Sequence, residues 1–128
     1  MSKSVEFSDV AAHVDHYGPL ASLVSVGADA TPHIGTVLVE TADDSIGVRI
    51  GSTTRGNMQA HPAVTLAWLR DGDDYQLILD GTATVDDEVG ADGLYAARIR
   101  VDRGILHRVA GRPEAGPSCM ALADRSVC

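Results

Sequence analysis

Short segments with a β-type residue pattern, separated by tight polar turns, place the strongest constraint on how this chain can fold. Leu20–Val26, His33–Glu40 and Ser45–Ile50 are rich in β-branched residues, and the turn sequences Gly27–Ala30 and Thr41–Asp44 lie between them. Extended apolar segments with short polar connections are typical of antiparallel strands. We therefore expect three strands that form an antiparallel meander.

Three further strands are expected in the second half of the sequence. Ala63–Arg70 and Tyr75–Val85 predict a fourth and a fifth strand joined by an acidic hairpin turn, and Gly81 indicates a bulge or bend in the fifth. A sixth strand is expected near residues 97–101, and residues 105–109 either continue the sheet or form a short helix. Short strands, tight turns and little helix favour a closed or nearly closed barrel, because closure removes exposed sheet edges.

The N-terminal part of the chain has a different period. Its apolar residues recur at the spacing of one helix face, and they are Phe7, Val10, Ala11, Val14 and Tyr17. Ser8 or Asp9 is placed to cap the start of this helix, and Gly18–Pro19 is placed to end it. The pattern predicts an amphipathic helix that covers one end of the core.

Length, charge and cysteine content limit the class of protein. The 128 residues fit a single domain, residues 1–128, and the net charge of −8 argues against binding to nucleic acid. No apolar run is long enough to span a bilayer, and the N-terminus lacks the apolar region of a secretory signal. Cys119 and Cys128 belong to no cluster with metal-ligand spacing and are expected to be free thiols. We expect a cytoplasmic protein with no metal site, no nucleic-acid partner and no membrane association.

Five arginines lie close together near the C-terminal end of an otherwise acidic sequence. They are Arg98, Arg100, Arg103, Arg108 and Arg112. One interpretation is a solvated basic face, and the other is a surface that faces an anion or another subunit.

The segment Gly51–Asn57 interrupts the strand pattern and has the composition of an anion-binding loop. Ser52–Thr54 supplies three adjacent hydroxyl groups, and Arg55 adds a cation whose forked donors suit phosphate. Met58–His61 is expected to form one helical turn, so that free N–H groups at its start would point at the same place. An equally good interpretation is a Ser/Thr helix cap beside a solvated arginine.

Two short motifs occur in the central part of the chain. The first is Asn57-Met58-x-x-His61-Pro62 ahead of a strand, and the second is Gln76 ahead of Gly81-Thr82-Ala83. With the order of the elements, they resemble the Asn-Leu-x-x-x-Pro and Gln-x-x-x-x-Gly-x-Ala motifs of the pyridoxamine 5'-phosphate oxidase-like family of flavin-binding split barrels. The resemblance covers roughly residues 7–85. One departure is Thr54, which stands where the family often has a lysine that contacts phosphate.

The resemblance implies a mainly β fold, a six-stranded antiparallel split β-barrel with a few short helices. It also implies a homodimer that binds FMN in clefts between its subunits, and a flavin-dependent oxidoreductase that acts on a small-molecule substrate. The cofactor-binding residues that it implies are Gly35, Thr36, Val37, Arg49, Gly51, Ser52, Thr53, Thr54, Arg55 and Gln76.

Two alternatives stay open at this point. The deazaflavin coenzyme is the second choice of cofactor, because the cluster Arg98–Arg112 would suit its long anionic tail. The other alternative is a non-catalytic protein on the same fold that binds a deazaflavin or haem, or no cofactor, with His13 and His107 as candidate haem ligands. Thr54, which stands in place of the lysine, favours the non-catalytic protein.

Overall fold

The computed structural model describes residues 7–42, 44–110 and 119–121. Two helices and eight strands follow one another along these residues, so the molecule is mainly β as predicted. In chain order they are α1 (Phe7–Tyr17), β1 (Leu20–Val26), β2 (Pro32–Leu38), β3 (Glu40–Thr41), β4 (Ser45–Ile50), α2 (Ser52–Ala60), β5 (Ala63–Trp68), β6 (Tyr75–Val85), β7 (Tyr95–Arg108) and β8 (Cys119–Ala121).

The strands form one antiparallel sheet that curls into a half-barrel. The order of hydrogen-bonded neighbours is β2-β1-β5-β6-β7-β4-β3, and β8 pairs with β7 outside this path. Strands β2 and β3 are consecutive in the chain, and only Val39 separates them. Residues 32–41 therefore pair with β1 at their start and with β4 at their end, which brings the two edges of the sheet together.

The prediction of six strands was too low, for two reasons. The sequence pattern predicts one strand over His33–Glu40, but the N–H of Val39 donates to the carbonyl of Pro19 at 2.8 Å and the Val39 side chain is buried. This hydrogen bond takes Val39 out of the ladder and divides the predicted strand into β2 and β3. In addition, β8 pairs with β7 in a part of the sequence that has no clear period.

The predicted meander of the first three strands is confirmed in part. The segment predicted as the second strand pairs with β1 through β2 and with β4 through β3, but β4 forms its longer ladder with β7. The ladder between β4 and β7 runs from Ser45 opposite Arg100 to Ile50 opposite Tyr95. The inward-facing side chains of β4 pack into the core, where Ile46 is fully buried.

The core lies between the inner face of the sheet and the two helices. The largest fully buried side chains are Trp68, Ile46, Leu66, Leu77, Leu79, Ile99 and Val10. Helix α1 packs Val10 and Val14 into this core, which confirms the amphipathic stripe read from the sequence. Gly18, with φ of +101°, ends the helix, and its carbonyl accepts a hydrogen bond of 3.0 Å from Nε1 of Trp68.

The predicted bulge at Gly81 is confirmed. The register between β6 and β7 shifts between Asp80 and Gly81, and Asp102 of β7 is the extra residue. A Cβ atom on Gly81 would collide with the carbonyl of Arg100 and would lie 2.6 Å from Cγ2 of Ile99. Glycine at this position therefore lets β7 approach β6 closely.

Strands β6 and β7 are the longest of the sheet. Strand β6 has the predicted bounds, Tyr75–Val85, and β7 runs without interruption over Tyr95–Arg108. Residues 105–108 thus continue the sheet and do not form a helix. Residues 111–118 and the side chains of both cysteines lie outside the described residues.

Candidate functional site

Helix α2 begins at Ser52, where the sequence pattern predicts a loop. The N–H of Arg55 donates to the carbonyl of Gly51 at 3.0 Å, which closes the first helical turn. Ser52–Thr54 is therefore the first turn of the helix and does not precede it, contrary to the prediction. Over the described residues, no side chain caps this end of α2 and its first turn contains no acid. The free N–H groups and the helix dipole make this end favourable for an anion.

Two side chains fix α2 on the sheet. Nδ2 of Asn57 donates to Oγ of Ser25 at 3.1 Å, and the Ser25 side chain is fully buried in β1. Met58 is buried in the core, and the N–H of His61 donates to the carbonyl of Asn57 at the end of the helix. The motif read from the sequence around Asn57 thus has a structural role, because it attaches α2 to β1.

A cleft of about 570 Å³ opens where β2 diverges from β4. Its walls include Thr36, Val37 and Leu38 of β2, Gly47, Val48 and Arg49 of β4, and Asp92 and Leu94 of the connection between β6 and β7. The structure therefore brings together Thr36, Val37 and Arg49, three of the residues predicted from the resemblance. Gly51 and the first turn of α2 follow Arg49 directly along the chain, at the end of the same strand.

Arg49 and Asp92 form a two-point ion pair at this cleft. Nε of Arg49 lies 2.7 Å from Oδ2 of Asp92, and Nη2 lies 2.7 Å from Oδ1. These hydrogen bonds, together with one from the N–H of Leu94, lower the pKa of Asp92 to about 2. The same contacts raise the pKa of Arg49. Asp92 is thus a carboxylate, and Arg49 a cation, throughout the physiological pH range.

Arg55 reaches the connection between β6 and β7. Its Nε donates to the carbonyl of Asp86 at 2.9 Å, and Nη2 lies 3.4 Å from Oδ1 of Asp87. Its guanidinium also stacks over the ring of Tyr95, 4.6 Å from the ring centroid. Three contacts therefore hold this cation against residues 86–95.

Two further predicted residues occupy separate positions. Gly35 pairs with Leu23 in the ladder between β1 and β2, next to the residues of β2 that line the cleft. Gln76 lies near the start of β6, nine residues before Val85, which pairs with Ala97 of the cleft wall. At about 3.3 Å per strand residue, that separation is about 30 Å. Within one chain, the structure does not bring Gln76 to the cleft.

The sequence analysis missed Asp92, Leu94 and Glu40, which all line the cleft. Asp92 stands among several acidic turn residues, and its neighbour Gly93 has a φ of +80°. An acid beside a glycine is the signature of an ordinary turn, so the local sequence does not distinguish Asp92 from solvated turn residues.

The arginine cluster on β7 is partly neutralised by acids on the sheet. Arg100 pairs with Asp102 at 3.0 Å, and Arg103 pairs with Asp80 at 2.6 Å. These pairs interrupt the basic surface that the sequence suggests, while Arg112 lies outside the described residues.

Among the described residues, no three histidine, cysteine, aspartate or glutamate residues lie close enough together to hold a metal ion. His107 is exposed on β7, where Nδ1 lies 3.0 Å from the carbonyl of Arg108. His13 lies on α1, and neither histidine belongs to the wall of the cleft.

The curled sheet with a cleft between β2 and β4 is the split-barrel fold of pyridoxamine 5'-phosphate oxidase-like proteins. A Clostridium acetobutylicum protein related to general stress protein 26, of the pyridoxinephosphate oxidase family, superposes with a TM-score of 0.65 at 13% identity, over 80% of this chain and 88% of that chain. HutZ, the haem storage protein of Vibrio cholerae, superposes with a TM-score of 0.59 at 13% identity, over 80% and 93% of the two chains. An F420 reductase superposes with a TM-score of 0.55 at 16% identity, over 66% and 87%.

These similarities are similarities of fold. No family model matches the sequence, and no curated protein matches it. Among the described residues, neither helix has the length and apolar character needed to cross a membrane.

Proposed function

We propose that the protein binds FMN in the cleft between β2 and β4 and acts as a flavin-dependent oxidoreductase on a small-molecule substrate. The observation that carries this proposal is the N-terminus of α2, which begins at the end of the strand that forms one wall of the cleft. The cleft volume of about 570 Å³ suits a ligand of this size, because ligand pockets span roughly 300–1,000 Å³. The fold shared with a member of the pyridoxinephosphate oxidase family supports the choice of cofactor.

The first turn of α2 has the chemistry to hold the FMN phosphate. Ser52–Thr54 offers backbone N–H groups that no helical carbonyl accepts, and Ser52 and Thr53 are exposed. Gly51 precedes this turn without a side chain, and the space that a Cβ atom would occupy there has no other atom within 4 Å. Arg55 contributes a positive charge to the same helix end, while its own contacts hold residues 86–95.

The walls of the cleft would hold the isoalloxazine ring. Backbone groups near Gly35, Thr36 and Val37 on one side and Arg49 on the other would orient its polar edge, and Leu38 would contact its apolar part. When bound, FMN supplies the hydride chemistry, and the protein supplies position and electrostatics. This division of labour needs no catalytic acid or base among the side chains of the cleft.

A second copy of the chain would complete the site. Strand β2 is an edge strand, and Leu20, Ile34 and Leu38 on β1 and β2 are between 60% and 66% exposed. Exposed apolar residues on an unpaired edge are typical of an interface. Leu20 and Leu38 also line the cleft, so a homodimer formed here would place the partner's surface beside FMN. Gln76 would then act from the second copy.

The deazaflavin coenzyme is the second candidate, because the cleft adjoins a groove lined by two arginines and two threonines, together with the acids Asp44 and Asp86. Arg98 lines both the cleft and an adjoining groove of about 570 Å³, which Arg100, Thr82 and Thr84 also line. An anionic tail would find donors along this path, and the F420 reductase shares the fold. The absorption spectrum of the purified protein separates the candidates, since flavin bands support FMN and a Soret band would indicate haem.

Titration with FMN tests the proposal. We expect the flavin fluorescence to be quenched at micromolar protein, and we expect Thr53→Glu to weaken binding by about tenfold or more through repulsion of the phosphate. An acid in the first turn is favourable for the helix itself, so this variant should fold at least as well as the wild type.

Gln59→Glu is the matched control. Gln59 is exposed near the other end of α2, so the same charge change should leave the affinity for FMN within about twofold, since charges there are screened. An absence of quenching in the wild type would rule out FMN. Equal effects of the two variants would rule out phosphate binding at the N-terminus of α2.

A further inference from the structure

The ion pair between Arg49 and Asp92 has the geometry that a free carboxylate adopts when it binds to an arginine. Two guanidinium nitrogens of Arg49 face the two carboxylate oxygens of Asp92, each at 2.7 Å. This parallel arrangement is the way in which arginine recognises free carboxylates and phosphates. Arg49 and Asp92 both line the cleft, so this pair lies where a small molecule would bind.

Three hydrogen bonds within the segment that carries Asp92 do not involve Arg49, although Nη2 of Arg49 also donates to the carbonyl of Leu94 at 3.4 Å. The N–H of Gly90 donates to the carbonyl of Leu94 at 2.7 Å, and the N–H of Gly93 donates to the carbonyl of Gly90 at 3.0 Å. Oδ1 of Asp92 accepts a further hydrogen bond of 3.1 Å from the N–H of Leu94. These three bonds form a closed turn, so Asp92 can leave Arg49 without unfolding of the connection.

The pair is also accessible to a ligand. The side chains of Arg49 and Asp92 are 47% and 46% exposed, so a solute can reach both charged groups. Glu40 and Arg98, the other charged residues of the cleft wall, both pair with Gly47 and flank it. Arg49 is therefore the cation that becomes available to an oxyanion when Asp92 leaves it.

We propose that Arg49 binds a carboxylate or phosphate group of the ligand of this cleft, and that Asp92 occupies the place of that group until the ligand displaces it. The proposal rests on the proposed function only in taking the cleft as the binding site. The ligand would carry an oxyanion group, and Asp92 would lower the affinity for that ligand by competing with it for Arg49.

The test uses malonate and inorganic phosphate as probes, at constant ionic strength adjusted with chloride. The resonance of the Arg49 Nε–H, assigned by its loss in Arg49→Lys, reports binding. Asp92→Asn keeps the acceptor for Leu94 and removes the competing charge, so it should tighten binding of at least one probe by about fivefold. Arg49→Lys lacks this resonance, so binding in that background is followed by the amide resonance of Leu94; there Asp92→Asn should no longer tighten binding, because lysine lacks the planar fork.

Asp87→Asn is the matched control. It removes one negative charge from the same connection but faces Arg55 and not Arg49, so affinities should stay those of the wild type. If Asp92→Asn and Asp87→Asn change the affinities equally for both probes, the proposal is overturned. Thermal unfolding of each variant verifies that the fold is retained.

FMN and riboflavin, which differ by the phosphate, identify the source of the oxyanion. Tighter binding of FMN but not of riboflavin by Asp92→Asn assigns Arg49 to the cofactor phosphate. If Asp92→Asn leaves the affinity for FMN unchanged but tightens the binding of malonate, Arg49 is assigned to a substrate carboxylate. If no variant binds FMN while Asp92 still competes with malonate or phosphate, the proposed function fails and this inference stands.

Discussion

Asn57 of α2 and Ser25 of β1 are joined by a hydrogen bond of 3.1 Å from Nδ2 to Oγ, and the Ser25 side chain is fully buried. This contact fixes the helix that begins where β4, one wall of the cleft, ends. We expect Asn57→Ala to lower the free energy of unfolding by about 1–3 kcal/mol, because it leaves a buried hydroxyl without its partner. Urea denaturation followed by the fluorescence of Trp68, the only tryptophan, measures the loss.

The double variant provides the control for this contact. Ser25→Ala together with Asn57→Ala removes both partners, so it should cost less than the sum of the two single changes. Strictly additive costs would show that the two side chains do not interact.

Gly81 and Gly56 should respond to alanine in opposite directions. Gly81→Ala places a methyl group against the carbonyl of Arg100 and Cγ2 of Ile99, so we expect a loss of about 2 kcal/mol or more. Gly56 lies within α2 with nothing within 4 Å of its Cβ position, so Gly56→Ala should gain about 0.5–1 kcal/mol. Thermal unfolding compares both with the wild type, and a stable Gly81→Ala variant would contradict the close approach of β7.

The carboxyl group of Asp92 should titrate near pH 2, below its ordinary pKa of 3.8, because Arg49 and the N–H of Leu94 stabilise its charged form. A lowered pKa means that the stabilisation is fully present above the ordinary value and is lost as the pH falls through about 2. Carbon NMR of the carboxyl groups follows this titration. In Arg49→Gln the midpoint should return towards the ordinary value, and an unchanged midpoint would contradict the ion pair.

Arg55→Ala should act mainly on the connection between β6 and β7. The change removes the hydrogen bond to Asp86 and the stacking on Tyr95, so amide exchange at Gly90 should accelerate by about tenfold. The affinity for FMN should fall less than in Thr53→Glu. Loss of FMN binding with unchanged exchange would instead show that Arg55 binds the phosphate directly. Arg103→Ala, which breaks a pair with Asp80 elsewhere on the sheet, is the control.

Local patterns in the sequence predicted most of the elements and the pairing of strands that follow one another, such as β1 with β2 and β5 with β6, but not the pairing of distant strands. The alternation in Ser45–Ile50 and the stripe of α1 were sufficient to place β4 and the helix, because both depend on neighbouring residues. The partner of β4 is β7, whose residues lie about fifty positions further along the chain, and no local pattern encodes that pairing.

The candidate site was predicted only in part, because local patterns in the sequence do not encode contacts between distant residues. The resemblance placed Thr36 and Arg49 on two strands that the structure brings to one cleft. The first turn of α2 was mistaken for a loop, because serine and threonine are poor helix formers that favour caps. Asp92 was missed because its role depends on Arg49, which lies on a different strand.

The pairing of β4 with β7 has a consequence during synthesis of the chain. Val48 pairs with Ala97, so β4 leaves the ribosome well before its main partner exists, and only the two residues of β3 pair with it earlier. At roughly 5–20 residues per second, the delay is roughly 2–10 s. During that interval the backbone groups of β4 that pair with β7 have no strand partner in the nascent chain, so this short strand is open to pairing with other chains.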